Sequence, residues 1–167
     1  MIMNFIYQNE LRDSQIQILL KKRLVMVATE EYIEAMVPLI IQLWPDNTRD
    51  EAIEIIKEYL YGEETGAMVH FADTQCVGLA LCSLRHDYVE GCESSPVGYL
   101  EGIVVDANYR KSGIAKILCA ECEQWAKDKG CKEFASDCEI TNEESLRFHL
   151  HMGYTEENRI ICFKKEI

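Results

Sequence analysis

One segment of the chain constrains its fold more than any other: an apolar run followed by a glycine-containing loop that opens a helix. The run extends from Tyr99 to Val105, and the loop from Arg110 to Ala115 has the form Arg-x-x-Gly-x-Ala. The backbone N–H groups of such a loop and the positive end of the helix dipole can converge on one anion. The segment therefore predicts a strand, a phosphate-binding loop and a helix in succession, with the acid Glu101 inside the strand.

Length and composition are typical of one globular domain. The 167 residues can form a single core, and 48% hydrophobic and 28% charged residues are ordinary for a soluble protein. No apolar run reaches the roughly 20 residues of a membrane span, and the N-terminus lacks a secretory pattern. We therefore expect a cytoplasmic protein without membrane contact. Residues 1–23 are interpreted as an N-terminal extension and residues 24–167 as the domain.

The formal net charge is −12, although residues 1–24 hold four basic and only two acidic residues. An acidic domain repels nucleic acid and attracts cations, so that no nucleic-acid partner is expected. A small polycationic substrate would fit this charge, and simple solubility would also explain it.

Helix and strand patterns alternate along the domain. The predicted strands cover residues 24–28, 67–72, 75–84, 97–105, 132–137 and 159–165, and the predicted helices cover residues 33–44, 49–61, 112–129 and 143–152. The resulting order, β-α-α-β-β-β-α-β-α-β, predicts an α/β fold with a mixed central β-sheet and helices on both faces.

The cysteines are predicted to pack as small apolar side chains, because six of the eight fall inside predicted strands or helices. These are Cys76, Cys82, Cys119, Cys122, Cys138 and Cys162. A CxxC spacing occurs inside one helix without a matching second pair, which disfavours a metal or redox site. We expect no metal. A nucleophilic role for Cys138 is also disfavoured, because no basic partner is evident.

Several motifs together resemble the GNAT acetyltransferase superfamily: the strand from Glu101 to Val105, the Arg110-to-Ala115 loop and a late strand–helix–Gly-Tyr unit. Within it the chain is most similar to aminoglycoside 6′-N-acetyltransferases. The most specific match is the loop from Arg85 to Pro96; others are Leu43-Trp44-Pro45, Gly130-Cys131, Ala135-Ser136-Asp137 and His149 to Tyr154. The resemblance implies the GNAT fold, acetyl-CoA as co-substrate, a cationic aminoglycoside as acceptor and a homodimer.

The resemblance also implies a cofactor site. Backbone groups of Ile103, Val104 and Val105 would pair with the pantetheine arm of acetyl-CoA as with an added strand. The loop would hold the pyrophosphate through Arg110, Lys111, Ser112, Gly113, Ile114 and Ala115. Asn142 matches a family position that contacts the cofactor, and it could also cap the following helix.

The acceptor pocket is implied in the same way. Carboxylates pair with ammonium groups, and aromatic faces support sugar rings and nearby cations. The matching residues are Trp44, Tyr88, Glu101 and Asp137, with Asn158 at a position where the family often has an acid.

An ammonium cannot attack a thioester, so a bound amine must first lose a proton. Glu101 or Asp137 would accept it, directly or through water, unless the pocket itself makes a base unnecessary. A backbone N–H near Ile103 would stabilise the oxyanion.

Two alternatives stay open at this point. One keeps the chemistry and changes the acceptor to a polyamine, another small amine or a protein N-terminus. The other is a domain that binds acetyl-CoA as a sensor or scaffold without turnover. The Arg85-to-Pro96 loop and Trp44 favour the aminoglycoside hypothesis, and the acids Glu101 and Asp137 disfavour the non-catalytic one.

Overall fold

A five-stranded sheet organises the computed structural model, which describes residues 25–167. The predicted N-terminal extension lies outside these residues. The strands stand in chain order, and each neighbouring pair is antiparallel except β4 and β5, which are parallel. The strands are β1 Val25–Val27, β2 Thr65–Ala72, β3 Gln75–Arg85, β4 Val97–Val105 and β5 Phe134–Ser136.

Four α-helices connect the strands, and local signals explain their bounds. They are α1 Ile33–Leu43, α2 Arg49–Tyr61, α3 Ile114–Asp128 and α4 Glu143–Met152. At the start of α2, Thr48 and Glu51 form a capping box, in which the Thr48 N–H donates to the Glu51 carboxylate at 2.8 Å. The bounds predicted for α2 and α4 are confirmed, and the other two helices differ from prediction only at their ends.

The core consists of two apolar layers, one on each face of the sheet. Leu79 and Leu81 of β3 pack in one layer with α1 and α2, whereas Ala80 and Cys82 pack in the other with α3. All four side chains are completely buried. The predicted α/β fold, with a mixed sheet and helices on both faces, is confirmed.

The strand predicted over residues 159–165 is wrong. The chain leaves α4 at Gly153 and continues without regular secondary structure to residue 167. A strand requires a neighbour to satisfy its N–H and C=O groups, and no described strand pairs with this segment. Its apolar side chains are consequently exposed, including Ile160, Ile161 and Phe163.

Burial confirms the packing role predicted for most of the cysteines. Cys119 and Cys122 of α3 face the sheet without exposed surface, and Cys82 is equally buried in β3. Burial raises the pKa of Cys119 to about 11, so it stays a thiol at neutral pH. The prediction is wrong for Cys138 and Cys162, which are exposed and lie outside the helices and strands because the chain does not continue as a strand there.

Candidate active site

The backbone of β4 is unpaired along one edge where the two parallel strands diverge. Pairing with β5 ends at Leu100 and Ser136, although β4 continues to Val105. Along residues 101–105 this edge has no strand neighbour among the described residues. Its N–H and C=O groups are therefore available to an extended ligand. The edge includes Ile103, Val104 and Val105, the residues predicted to pair with the pantetheine arm.

Glu101 lies at a bulge in the opposite edge of β4. The register with β3 shifts there, since Leu81 pairs with Gly102 whereas Cys82 pairs with Leu100. A bulge inserts one extra residue and redirects its side chain. The partly buried carboxylate of Glu101 is thereby placed beside the point where β4 and β5 separate.

The predicted pyrophosphate loop joins β4 to α3 through two residues with left-handed backbones. Lys111 has φ 60° and Gly113 has φ 86°. Gly113 is the N-cap of α3 without a side-chain cap, so the first N–H groups of the helix, including those of Ile114 and Ala115, remain available to a ligand. A Cβ at Gly113 would meet no atom within 4 Å. The open space beside these donors fits an anion such as pyrophosphate.

The other predicted cofactor residues make structural contacts in the described chain. Arg110 donates through Nε to the Val105 carbonyl at 3.2 Å, and Ser112 Oγ donates to the Tyr109 carbonyl at 2.5 Å. These bonds hold the loop against the end of β4. Asn142 caps α4, because its Oδ1 accepts from the Ser145 N–H at 3.0 Å.

Glu101 is held by two side chains of β3. Arg85 donates to it through Nε at 3.1 Å and through Nη2 at 2.8 Å, reaching both carboxylate oxygens. Ser83 Oγ donates to Oε1 at 2.5 Å. The sequence analysis gave Arg85 no individual role, because its partner lies 16 residues away and becomes adjacent only through strand pairing.

Asp137, the second predicted acid, follows β5 directly and is exposed. No Lys, Arg or His side chain in residues 25–167 comes within 4.0 Å of its carboxylate. Tyr99 of β4 connects it to Arg85: the guanidinium carbon lies 3.3 Å from the ring centroid. Burial raises the pKa of Tyr99, and interaction of its hydroxyl with the Asp137 carboxylate raises it further. Glu101 and Asp137 therefore both interact with one cluster, which is formed by Arg85 and Tyr99.

The two predicted aromatic residues occupy different surroundings. Trp44 follows α1 and lies against β4, where a Cβ at Gly102 would be 3.2 Å from Trp44 Cζ2. This contact places the indole against Gly102, the residue that follows Glu101 in β4. Tyr88 is 79% exposed, and its hydroxyl donates to Glu90 at 3.0 Å. Tyr88 is thus free to present its ring to a ligand.

Glu90 connects two predicted substrate residues that are distant in sequence. Its second oxygen accepts from Asn158 Nδ2 at 3.0 Å, so the Arg85-to-Pro96 loop and the C-terminal segment meet through this carboxylate. The only sequence signal for Glu90 was an acid inside the family-specific loop. Its partner could not be identified without the fold.

Glu133, just before β5, anchors the same loop. It accepts from the Glu93 N–H at 3.0 Å, from the Ser94 N–H at 2.6 Å and from Ser94 Oγ. These bonds to Ser94 lower the pKa of Glu133 below its ordinary value. The stabilisation of the loop by ionised Glu133 is accordingly fully present above the ordinary glutamate pKa of about 4.5. It is lost as the pH falls through the lowered pKa of this carboxyl.

Replacing Glu133 with Gln is expected to raise the KM of the acceptor at least about threefold, because the loop that carries Tyr88 loses its charged anchor. The KM of the donor should not change, since the donor loop lies elsewhere. Steady-state kinetics with each substrate varied in turn measures both. Glu121→Gln, on the exposed side of α3, is the matched control; equal effects of the two substitutions would contradict the assignment.

His149 of α4 contacts the end of β5, where the two parallel strands diverge. Its Nδ1 is 2.8 Å from the Ser145 carbonyl, which can only accept. Its Nε2 lies 3.0 Å from Ser136 Oγ, and that hydroxyl also donates to the Leu100 carbonyl at 3.0 Å. His86, in contrast, is paired with Glu64, whose carboxylate lies 2.8 Å from its Nε2.

Residues 25–167 contain no group of three or more His, Cys, Asp or Glu side chains placed to hold a metal ion. Among the same residues, no helix has both the length and the apolarity to cross a bilayer.

The sequence profile of the acetyltransferase (GNAT) family matches residues 29–154. The chain belongs to this family. An aminoglycoside N(6′)-acetyltransferase type 1 of Salmonella typhimurium is 40% identical over 124 residues, which are 74% of this chain and 86% of the relative. Another from Serratia marcescens is 35% identical over 86% of this chain and 99% of its own length.

Solved structures agree with this assignment. Aminoglycoside N-acetyltransferase AAC(6′)-Iy in complex with CoA superposes with a TM-score of 0.83 at 36% identity, covering 86% of this chain and 94% of its own. The same enzyme in complex with the bisubstrate analogue CoA-S-monomethyl-acetylneamine has a TM-score of 0.82, covering 86% and 97%. The GNAT fold predicted from the sequence is confirmed.

Proposed function

We propose that this chain transfers an acetyl group from acetyl-CoA to the 6′-amino group of aminoglycoside antibiotics and thereby confers resistance to them. The observation that carries the proposal is the juxtaposition of an unpaired β4 edge with the acids Glu101 and Asp137. A donor arm on that edge would lie beside a site for a cationic acceptor. The named relatives, which match most of the chain, support the choice of acceptor.

The donor side is supported by backbone groups. The N–H and C=O groups of Ile103, Val104 and Val105 would hold the pantetheine arm of acetyl-CoA, and the loop ending at Gly113 would hold its pyrophosphate. Acetyl-CoA supplies the activated thioester. A β4 N–H near Ile103 would stabilise the oxyanion that develops on the acetyl carbonyl.

The acceptor side is supported by charge and aromatic surface. Trp44 and Tyr88 offer ring faces for the aminosugar, and the carboxylates attract its ammonium groups. A carboxylate at this site, directly or through water, would accept the proton that the amine must lose before attack. Asn142, engaged as the cap of α4, would contact the cofactor through its remaining polar atoms.

Release of coenzyme A thiol tests the proposal. Purified protein is given acetyl-CoA with kanamycin, tobramycin or spermine, and free thiol is measured over time. Release with kanamycin and tobramycin, together with acetylation at the 6′-nitrogen in the product's NMR spectrum, is expected. Release with spermine alone would support the polyamine hypothesis instead, and acetyl-CoA binding without release would support a sensor.

We further propose that the protein is a homodimer that works in the cytoplasm. The exposed Ile160, Ile161 and Phe163, on a segment with which no described strand pairs, support contact with a second copy. The absence of disulfides among the described cysteines, buried Cys82 and Cys122 included, fits a reducing compartment.

Replacing Ile161 with Asp is expected to weaken the dimer at least about tenfold, because a charge would enter an apolar contact. Sedimentation velocity over a range of concentrations measures the monomer–dimer equilibrium. Ile117→Asp, at an exposed position of α3, is the matched control. A wild-type protein that stays monomeric at all concentrations would contradict the proposal.

A further inference from the structure

Both oxygens of the predicted acid Glu101 are already paired. Arg85 reaches Oε1 and Oε2 with a planar fork, and Ser83 adds a third donor. Charge-assisted bidentate pairs of this kind are strong and directional. These donors fill three of the roughly four lone-pair sites of the carboxylate, so an incoming ammonium would find about one open site and a charge already balanced by Arg85.

The guanidinium of Arg85 is held on a second side as well. Its central carbon lies 3.3 Å from the centroid of the Tyr99 ring. The Glu101 side chain is 20% exposed and that of Arg85 is 40% exposed, so the carboxylate is more shielded from solvent than the guanidinium. An ammonium offers neither the planar fork nor the stacking surface of a guanidinium, so it cannot replace both contacts.

Asp137 differs from Glu101 in each of these respects. It is exposed and has no cationic side chain within 4.0 Å among residues 25–167. Arg85 interacts electrostatically with Asp137 as well as with Glu101, so both acids are influenced by the same guanidinium. The cluster thus consists of an ion pair between Arg85 and Glu101 and a second carboxylate, Asp137, whose partner is the neutral Tyr99 hydroxyl.

We propose that Arg85 is a positioning and specificity-determining residue: it balances the charge of Glu101, weakens the attraction of that carboxylate for the acceptor's ammonium, and so favours Asp137 as the group that receives the reacting amine. The inference rests on the proposed function. It ranks two acids that the sequence left equivalent. The ligand class that Asp137 selects is a primary ammonium.

Each single substitution in the pair should harm the enzyme by leaving one charge unbalanced. Glu101→Gln frees the guanidinium, whose next carboxylate is Asp137. Arg85→Gln frees Glu101, which would then hold the ammonium away from the acetyl group. The double variant R85Q/E101Q has neither unpaired charge, and the two glutamines can hydrogen-bond to each other.

Steady-state kinetics with kanamycin and acetyl-CoA tests this for the wild type, R85Q, E101Q and the double variant. Each single variant is expected to lose kcat at least about tenfold, and the double variant to return to within about fivefold of the wild type. R85K, which keeps the charge without the fork, should lose less than R85Q. The KM of acetyl-CoA should be the same in all variants.

A double variant as impaired as the worse single variant would overturn the inference, because Glu101 would then act on the amine itself. Circular dichroism of each variant checks folding. If R85Q does not fold, the comparison of E101Q with R85Q/E101Q decides the question alone. A wild type that is inactive with every aminoglycoside refutes the proposed function, and the inference with it; an active wild type without rescue refutes only the role of Arg85.

Discussion

Asp137→Asn is expected to lower kcat with an aminoglycoside about a hundredfold or more, since a general base commonly contributes that much. Asparagine has nearly the same shape but neither the charge that attracts an ammonium nor the basicity to accept its proton. Asp137 is exposed, so the substitution should leave the fold intact. Initial rates at saturating acetyl-CoA, with the aminoglycoside varied, give kcat and KM separately.

The matched control for this prediction is Asp73→Asn. Asp73 lies in the turn between β2 and β3 with φ 54°, a backbone conformation that asparagine also accepts. The substitution Asp73→Asn removes one acid from the same protein at a position outside the candidate site. A kcat for D137N within about threefold of D73N would exclude Asp137 as the proton acceptor.

Gly113→Asp is expected to raise the KM of acetyl-CoA about thirtyfold or more, while kcat at saturation changes less. The new carboxylate would stand at the N-terminus of α3, where the pyrophosphate is proposed to bind, and would repel it. The substitution also requires a side chain at φ 86°, which carries a modest conformational cost.

Gly130→Asp separates these two effects. Gly130 follows the other end of α3 with φ 91°, and a Cβ there would likewise meet no atom within 4 Å. Both variants bear the same kind of backbone strain, so their thermal unfolding midpoints should fall by similar amounts. If G130D raises the KM of acetyl-CoA as much as G113D does, the loop is not the pyrophosphate site.

Elements with strong local signals could be predicted from the sequence residue by residue. The capping box at Thr48 and the stop at Gly62 define α2, and an apolar pattern broken only by the acid Glu101 defines β4. The phosphate-type loop was recognisable for the same reason, because its backbone conformation depends mainly on residues within it, Gly113 above all.

The C-terminal segment shows where such signals fail. Residues 159–165 form a short apolar run between basic residues and include β-branched side chains, so they resemble a strand. Whether they become one depends on a neighbour that supplies hydrogen bonds, and none of the described strands does. The burial predicted for Cys162 fails with it.

The sequence by itself determined the fold class and named the acids and aromatic residues of the candidate site, since these follow from periodicity, glycine placement and family motifs. Only the tertiary structure decided how the acids differ. The bulge at Glu101 and the register of β3 against β4 bring Arg85 to one carboxylate, whereas Asp137 follows β5 without a cationic partner in the described residues. Charges separated along the chain interact only at short range, so the division of roles depends on strand pairing.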